Sequence, residues 1–309
     1  MLLAKFVAVV AGGSKGVGRG IALELGSAGA TVYVTGRSVL GQLSSDQTKG
    51  TIDETAADVT RLGGRGIPVQ CDHTQEEQVT KLFERVKQEQ NGRLDLLVNV
   101  VWGGYENYKP DLFQAPFWKT PATTFDSMFR SGFFAQFLTS KHAAPLMTPA
   151  RKGLIVHVSA GDFEGKETQY FDSNAVSGSD ENYQAPYAVP GGKYLGMALY
   201  DVAKLSLNRL AIAQAHDLRE YGVASLCLHP GFVHTERVER FTEEGLPDPA
   251  EFAESPQYIG RAVVALCLDE TNLMNKSGKV FAVGHLAKEY KFTDIDGKYW
   301  PPFIIPEKQ

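Results

Sequence analysis

The chain of 309 residues is 43% hydrophobic and 22% charged, with 31 Gly and 15 Pro, which is the composition of a globular chain and excludes a disordered or collagen-like one. Its net charge of −5 supplies no basic footprint for nucleic acid or an anionic membrane surface, and no run of about 18 apolar residues marks a membrane span. Cys71, Cys227 and Cys267 are too few and too scattered for a disulfide framework or a metal knuckle, so a reducing, cytoplasmic setting is expected.

Short β-branched runs alternate with longer segments of helical period, the pattern of a doubly wound α/β fold of Rossmann type. Its central sheet is mostly parallel, with helices on both faces, and all 309 residues are expected in one domain. Phe6–Val10 reads as the first strand, and it begins so early that no signal peptide is expected before it. A helix carrying Ile21, Leu25 and Ala28 follows, then a strand at Thr31–Thr35, a helix from Thr51 to Leu62 and a strand at Gly66–Gln70. Val79, Leu82, Phe83 and Val86 fall at i, i+3, i+4 and i+7, one face of the next helix, which Asn91-Gly92 stops. Leu94–Asn99 and Leu154–Ser159 read as strands, with an aromatic-rich, helical segment ending near Met147 between them. Tyr200 to Glu220 is a long amphipathic helix, Val223–His229 a strand, Gly260–Leu268 a helix and Lys279–Val283 a last strand. Only 161–192, rich in Gly, Ser, Asn, Asp and Tyr, breaks this rhythm. So long an irregular stretch is either a lid beside a site or a mobile surface insertion.

Directly after the first strand comes Gly12-Gly-Ser14-Lys15-Gly16-Val17-Gly18, and a helix starts at once. Glycine is needed there because a pyrophosphate can reach the backbone only where no Cβ intrudes, and the helix N-terminus then offers unpaired N–H groups and a positive dipole end. The second strand ends in Gly36-Arg37 rather than in the carboxylate that would hold the adenosine ribose hydroxyls of NAD. With Lys15 inside the turn, two cations suit a 2′-phosphate, so NADP is expected over NAD. Arg37 as a solvated surface side chain is the competing reading.

Tyr200 and Lys204 lie one helical turn apart on one face, a pair able to move a proton, with the cation expected to lower the phenol's pKa. Spacing alone is weak, because Tyr105 and Lys109 repeat it between Gly103-Gly104 and Pro110, where a helix is not expected. His229 and His234 flank Pro230-Gly231, a turn, and lack a metal-ligand spacing, so no metal site is predicted.

At this point the sequence resembles the short-chain dehydrogenase/reductase family over nearly its whole length. Gly12, Gly16 and Gly18 match the family's glycine motif, with Ala11 where a threonine is usual. The resemblance makes Asp72 the residue that contacts adenine, and Ser14, Lys15, Val17, Arg37 and His73 are expected with it among the cofactor-binding residues. Leu97-Val-Asn99 begins the family's Asn-Asn-Ala-Gly motif, which departs here as Val100-Val-Trp-Gly-Gly104. Tyr200 and Lys204 match its catalytic pair, and Pro230-Gly231-Phe-Val233-His-Thr235 the segment that meets the nicotinamide. The stretch from His285 to Gly297 carries a closer likeness to one group within the family.

Two departures stand out. The catalytic serine implied by the resemblance falls on Ser159, the only serine at the end of its strand. The helix asparagine that commonly supports the lysine through a water is replaced by Gly132. The resemblance implies an NADP-dependent oxidoreductase acting on a carbonyl or alcohol, with Tyr200 as acid/base, Ser159 polarising the oxygen and Lys204 holding the ribose, and a homodimer or homotetramer. An NADP-binding sensor or scaffold without chemistry is the alternative. Trp102, Tyr105, Phe163, Phe171, Tyr187 and Phe232 are expected near the strand ends or in the insertion, either lining a pocket for a bulky carbonyl or packing the insertion.

Overall fold

The computed structural model describes residues 2–42, 48–106, 115–161, 195–243 and 252–304. Seven strands form one sheet: β1 Val7–Ala11, β2 Thr31–Gly36, β3 Arg65–Gln70, β4 Leu96–Asn99, β5 Gly153–Val158, β6 Val223–His229 and β7 Val280–Ala282. All pairings are parallel and the spatial order is β3-β2-β1-β4-β5-β6-β7. β1, β4, β5 and β6 are buried at every position, as expected of strands covered on both faces.

Side chains of a strand alternate between faces, and that alternation divides the core. Ala8, Val10, Val32, Val34, Leu96 and Val98 pack under helices α1 (Gly16–Ser27) and α2 (Ile52–Arg61). Val7, Val9, Ala11, Tyr33 and Leu97 face α3 (Glu76–Glu89) and α4 (Ala135–Met147). α2 starts where Thr51 accepts from the Glu54 N–H while the Glu54 carboxylate accepts from the Thr51 N–H, a reciprocal cap of two otherwise orphaned donors. α5 (Ala198–Leu218) lies against β6, followed by α6 (Glu236–Glu243), α7 (Pro256–Leu268) and α8 (Val283–Tyr290). The segment leading into α4 is wound as π-helix over Asp126–Phe134.

The differences from the sequence reading are local. β4 starts at Leu96 because Asp95 turns its carboxylate onto the Val7 N–H, 2.8 Å, and onto Arg93. The last strand ends at Ala282, and Val283 opens α8, which was not foreseen; neither was α6. α7 begins at Pro256 rather than Gly260. All but the first residue of the 161–192 stretch lies outside the described residues, as do Lys109, Phe163, Phe171 and Tyr187. Among the described residues no helix is long and apolar enough to cross a membrane.

Candidate active site

The chain runs β1, β2, β3 outwards and returns to place β4 beside β1, so the strand order reverses between them. Such a switch point opens a crevice at the C-terminal strand ends. Here those ends are level: Ala11 pairs with Thr35 and with Asn99, and Asn99 with His157. Gly12, Arg37, Asp72, Asn99, Ser159 and Pro230 lie at or just past the C-terminal ends of β1 to β6.

The glycine turn forms as the sequence implied. Gly12 and Gly16 have φ of +92° and +52°, the left-handed region that glycine enters without strain. A Cβ on Gly18 would stand 2.0 Å from the Gly12 carbonyl oxygen, and one on Gly12 2.9 Å from the Val101 nitrogen. The Gly16 N–H, at the start of α1, donates to the Glu236 carboxylate at 2.8 Å. That carboxylate stands where an anion is favoured by the helix dipole and free N–H groups. The Lys15 ammonium reaches the Thr48 carbonyl, 2.7 Å, and Ser14 offers its own carbonyl to Thr55. Val17 packs partly buried against the core.

Arg37 projects beyond β2 and forms an ion pair with Glu106. Asp72 accepts from the N–H and hydroxyl of Thr74. His73 is buried, with its ring nitrogens hydrogen-bonded to Thr35 (2.8 Å) and Thr139 (3.0 Å), and burial draws its pKa down to about 4. Asn99 donates to Ser140 at 2.9 Å, while its Oδ1 is buried without a partner among the described residues. A buried carbonyl left unpaired is costly, and this one lies at the strand edge bordering the crevice. The glycine cradle, the anion-occupied helix start and this orphan acceptor fit a dinucleotide cofactor.

Tyr200 and Lys204 stand in the first two turns of α5. The Tyr105 hydroxyl donates to the Tyr200 oxygen at 3.3 Å, and the Arg237 guanidinium lies 4.9 Å from the Tyr105 ring centre while donating to its carbonyl. Tyr105, rejected in the sequence as partner of Lys109 but expected among the aromatic residues near the strand ends, stands beside Tyr200 through its own phenol. The Lys204 ammonium sits 3.8 Å from the centre of the Trp102 ring and 5.6 Å from that of Tyr200. Burial holds it down to about 8. Burial, and then the Tyr105 phenol, push Tyr200 well above its ordinary value. The expected lowering by Lys204 is thus overturned, because desolvation of the buried phenolate dominates.

Ser159 is buried beneath α5, and its hydroxyl donates to the Lys204 carbonyl at 2.6 Å. Pro230 and Gly231 follow β6; Val233 bridges to Glu254, whose carboxyl oxygen would lie 2.8 Å from a Cβ on Gly231. Thr235 accepts from the Val238 N–H, capping the start of α6, and its methyl lies 3.3 Å from where a Gly16 Cβ would be. Phe232 pairs with Phe252 rather than with the Tyr200 cluster, ring centres 5.5 Å apart. Sequence reasoning missed Glu106, Glu236, Glu254 and Arg237; none stands in a spacing that marks a site. Among the described residues no cluster of His, Cys, Asp or Glu could hold a metal ion.

The pattern of the family described as short chain dehydrogenase matches residues 6–167. The chain belongs to the short-chain dehydrogenase family. It is 39% identical over 303 residues to the mouse protein dehydrogenase/reductase SDR family member 1, covering 94% of this chain and 84% of that one. It is 37% identical over 302 residues to the human protein of the same name, with the same coverage. A 7alpha-hydroxysteroid dehydrogenase of Escherichia coli is 23% identical over 282 residues, covering 89% of this chain and 91% of its own. Among solved structures, a short-chain dehydrogenase from Mycobacterium thermoresistibile superposes with a TM-score of 0.73 at 20% identity, covering 97% of this chain and 92% of that one. At that identity the likeness speaks to the fold. The family is one of oxidoreductases that use a nicotinamide cofactor, so this short-chain dehydrogenase carries its glycine turn and its Tyr200–Lys204 pair in a family setting.

Proposed function

We propose that this short-chain dehydrogenase is an NADP-dependent oxidoreductase interconverting a carbonyl and an alcohol, with Tyr200 as the general acid/base. The observation that carries this reading is that Tyr200 and Lys204, one turn apart on α5, both pack on Trp102, next in the chain to Val101, which closes against Gly12 of the glycine turn. The residues that would hold the cofactor are Gly12, Ser14, Lys15, Gly16, Val17 and Gly18 at the pyrophosphate, Arg37 at the 2′-phosphate, Asp72 with His73 at the adenine end, and Asn99, Pro230, Gly231, Val233 and Thr235 towards the nicotinamide. Once bound, the cofactor supplies the hydride.

In the reducing direction the site needs a neutral phenol, and burial keeps Tyr200 in that form. Tyr200 gives its hydroxyl proton to the carbonyl oxygen as negative charge develops there. Lys204 then stabilises the phenolate that remains, its own charge being held close by on the Trp102 face. A serine hydroxyl has a single proton to donate, and that of Ser159 is engaged by the Lys204 carbonyl. Ser159 polarises the substrate oxygen by rotating its O–H away from that carbonyl. The aromatic side chains of Trp102 and Tyr105 beside Tyr200 suit a bulky apolar carbonyl compound. The net charge of −5 and three free cysteines accord with a cytoplasmic chain, and the reading includes a single domain and a homo-oligomer.

The test is a titration with NADPH and NADH followed by nicotinamide fluorescence, and then a panel of aromatic and aliphatic ketones and quinones. NADPH binding with oxidation by a panel member, lost in Tyr200→Phe while NADPH binding persists, supports the proposal. Failure to bind either nucleotide refutes it. The second reading, a nucleotide sensor without chemistry, draws on the engaged Ser159 hydroxyl; it requires NADPH binding, no turnover across the panel, and no consequence of Tyr200→Phe.

A further inference from the structure

Lys204 lies between α5 and β6, where the Cys227 thiol and the His229 imidazole are the titratable groups that interact with its charge. It is 7% exposed, and no ion pair or hydrogen bond of its Nζ occurs among the described residues. What it meets instead is the face of Trp102, with Nζ 3.8 Å from the ring centre, well inside the range in which an aromatic quadrupole holds a cation. The same indole turns its edge to Tyr200, ring centres 5.5 Å apart and planes at 89°. Its position is set by shape: a Cβ on Gly132 would lie 2.8 Å from two of its ring carbons. Met128, Met197 and Ala203 form the cluster against which the ring packs. The indole Nε1 is buried with no hydrogen-bond partner among the described residues, so no polar tether explains why the ring lies there.

We infer that Trp102 is the positioning residue of the Tyr200–Lys204 pair, its face seating the Lys204 ammonium and its edge the Tyr200 ring, in the space that Gly132 leaves open on the π-helical segment. The inference rests on the reading of Tyr200 and Lys204 as the reacting pair. Trp102 and Gly132 act as one unit, because any side chain at 132 displaces the indole and an aliphatic side chain at 102 leaves the ammonium without a π face. The π face favours the charged lysine, opposing the burial that favours the neutral one. Losing it lowers the Lys204 titration midpoint by about one pH unit.

The experiment needs neither nucleotide nor substrate. Lysines are isotopically labelled at Cε in the full chain, the Lys204 resonance is assigned by its loss in Lys204→Met, and pH titrations are run on the wild type, Trp102→Leu, Trp102→Phe and Gly132→Ala. A Lys204 signal displaced by the indole ring current is expected in the wild type. In Trp102→Leu the displacement disappears and the midpoint falls by about one unit; Trp102→Phe, with a weaker face, lies between. Gly132→Ala, which keeps the tryptophan but moves its ring, resembles Trp102→Leu. Circular dichroism identifies the folded variants, and if Trp102→Leu does not fold, Trp102→Phe and Gly132→Ala decide the matter. Wild-type signal and midpoint in those folded variants, or a midpoint that rises as water replaces the ring, overturn the inference. An NADPH titration of the wild type is read separately: failure there refutes the oxidoreductase reading, while the Lys204 signal still decides whether Trp102 seats the lysine.

Discussion

Arg37→Ala tests the choice of NADP over NAD at the residue on which it turns. The Arg37 side chain is 43% exposed and is paired with Glu106, so its charge acts through solvent as much as through protein. A charge-assisted bond from such a guanidinium to a 2′-phosphate is worth roughly 1.5–3 kcal/mol. Giving up or sharing the Glu106 carboxylate, in a pair whose guanidinium is largely solvated, costs about 0–1 kcal/mol of that. The difference, roughly 0.5–3 kcal/mol, is a factor of about 2–150 in Kd. NADH has only a hydroxyl at that place, and its affinity is expected to change by no more than about threefold. Nicotinamide fluorescence titrations of both nucleotides at one fixed ionic strength measure the ratio, since salt screens exposed charges. Glu106→Gln is the reciprocal arm: with the competing carboxylate gone, NADPH binds about two- to fivefold more tightly and NADH is unaffected. Equal weakening of both nucleotides in Arg37→Ala, or unchanged NADPH affinity, refutes the reasoning and returns Arg37 to the solvated surface.

Gly18→Ala places a methyl group 2.0 Å from the Gly12 carbonyl oxygen, so the turn has to open; nucleotide affinity is expected to fall about 100-fold or more in a chain that still folds, measured by the same titration. Native-like affinity in that variant contradicts a pyrophosphate lying on this backbone. Stability is expected to peak near neutrality. Burial holds His73 and His157 down to about 4 and His229 to about 3, while unfolded histidine takes up its proton near 6.5. Below about pH 6.5 the unfolded state therefore binds more protons, and stability falls with falling pH by about 1.4 kcal/mol per unit for each histidine. Glu254 acts in the opposite sense. Burial pushes it up to about 8, so the folded state keeps a proton that the unfolded one has lost, and stability declines as pH rises from about 4.5 to 8. Urea unfolding across this range reads both limbs; Glu254→Gln should flatten the upper one, and an unaltered slope in the folded variant would exclude Glu254 as its source.

Much of the scaffold was legible because its signals are local. Phe6–Val10 and Val223–His229 are apolar runs that a parallel sheet buries on both faces, and the structure places strands at Val7–Ala11 and Val223–His229. The glycine turn was legible for the same reason: the Gly18 Cβ position collides with Gly12, six positions earlier in the chain. Signals were poorer where a neighbour in space decided the local conformation. Asp95 carries strand-like surroundings but leaves β4 to cap the Val7 N–H, and α6 and α8 carry no start signal that was recognised.

The side-chain arrangement at the crevice depends on the tertiary structure in a stronger sense. Residue types at Gly12, Arg37, Tyr200 and Lys204 nominate a nucleotide and a proton-transfer pair from the chain alone, since each motif needs only its own helix or turn. The seat of Lys204 requires Trp102 after β4, Gly132 on the π-helical segment and Lys204 on α5, three segments with no common period or spacing. The direction of the Tyr200 shift was misjudged for that reason. A lysine one turn away is visible in the sequence, whereas the loss of water around the phenol, and the arrival of Tyr105 beside it, exist only once those segments have packed together.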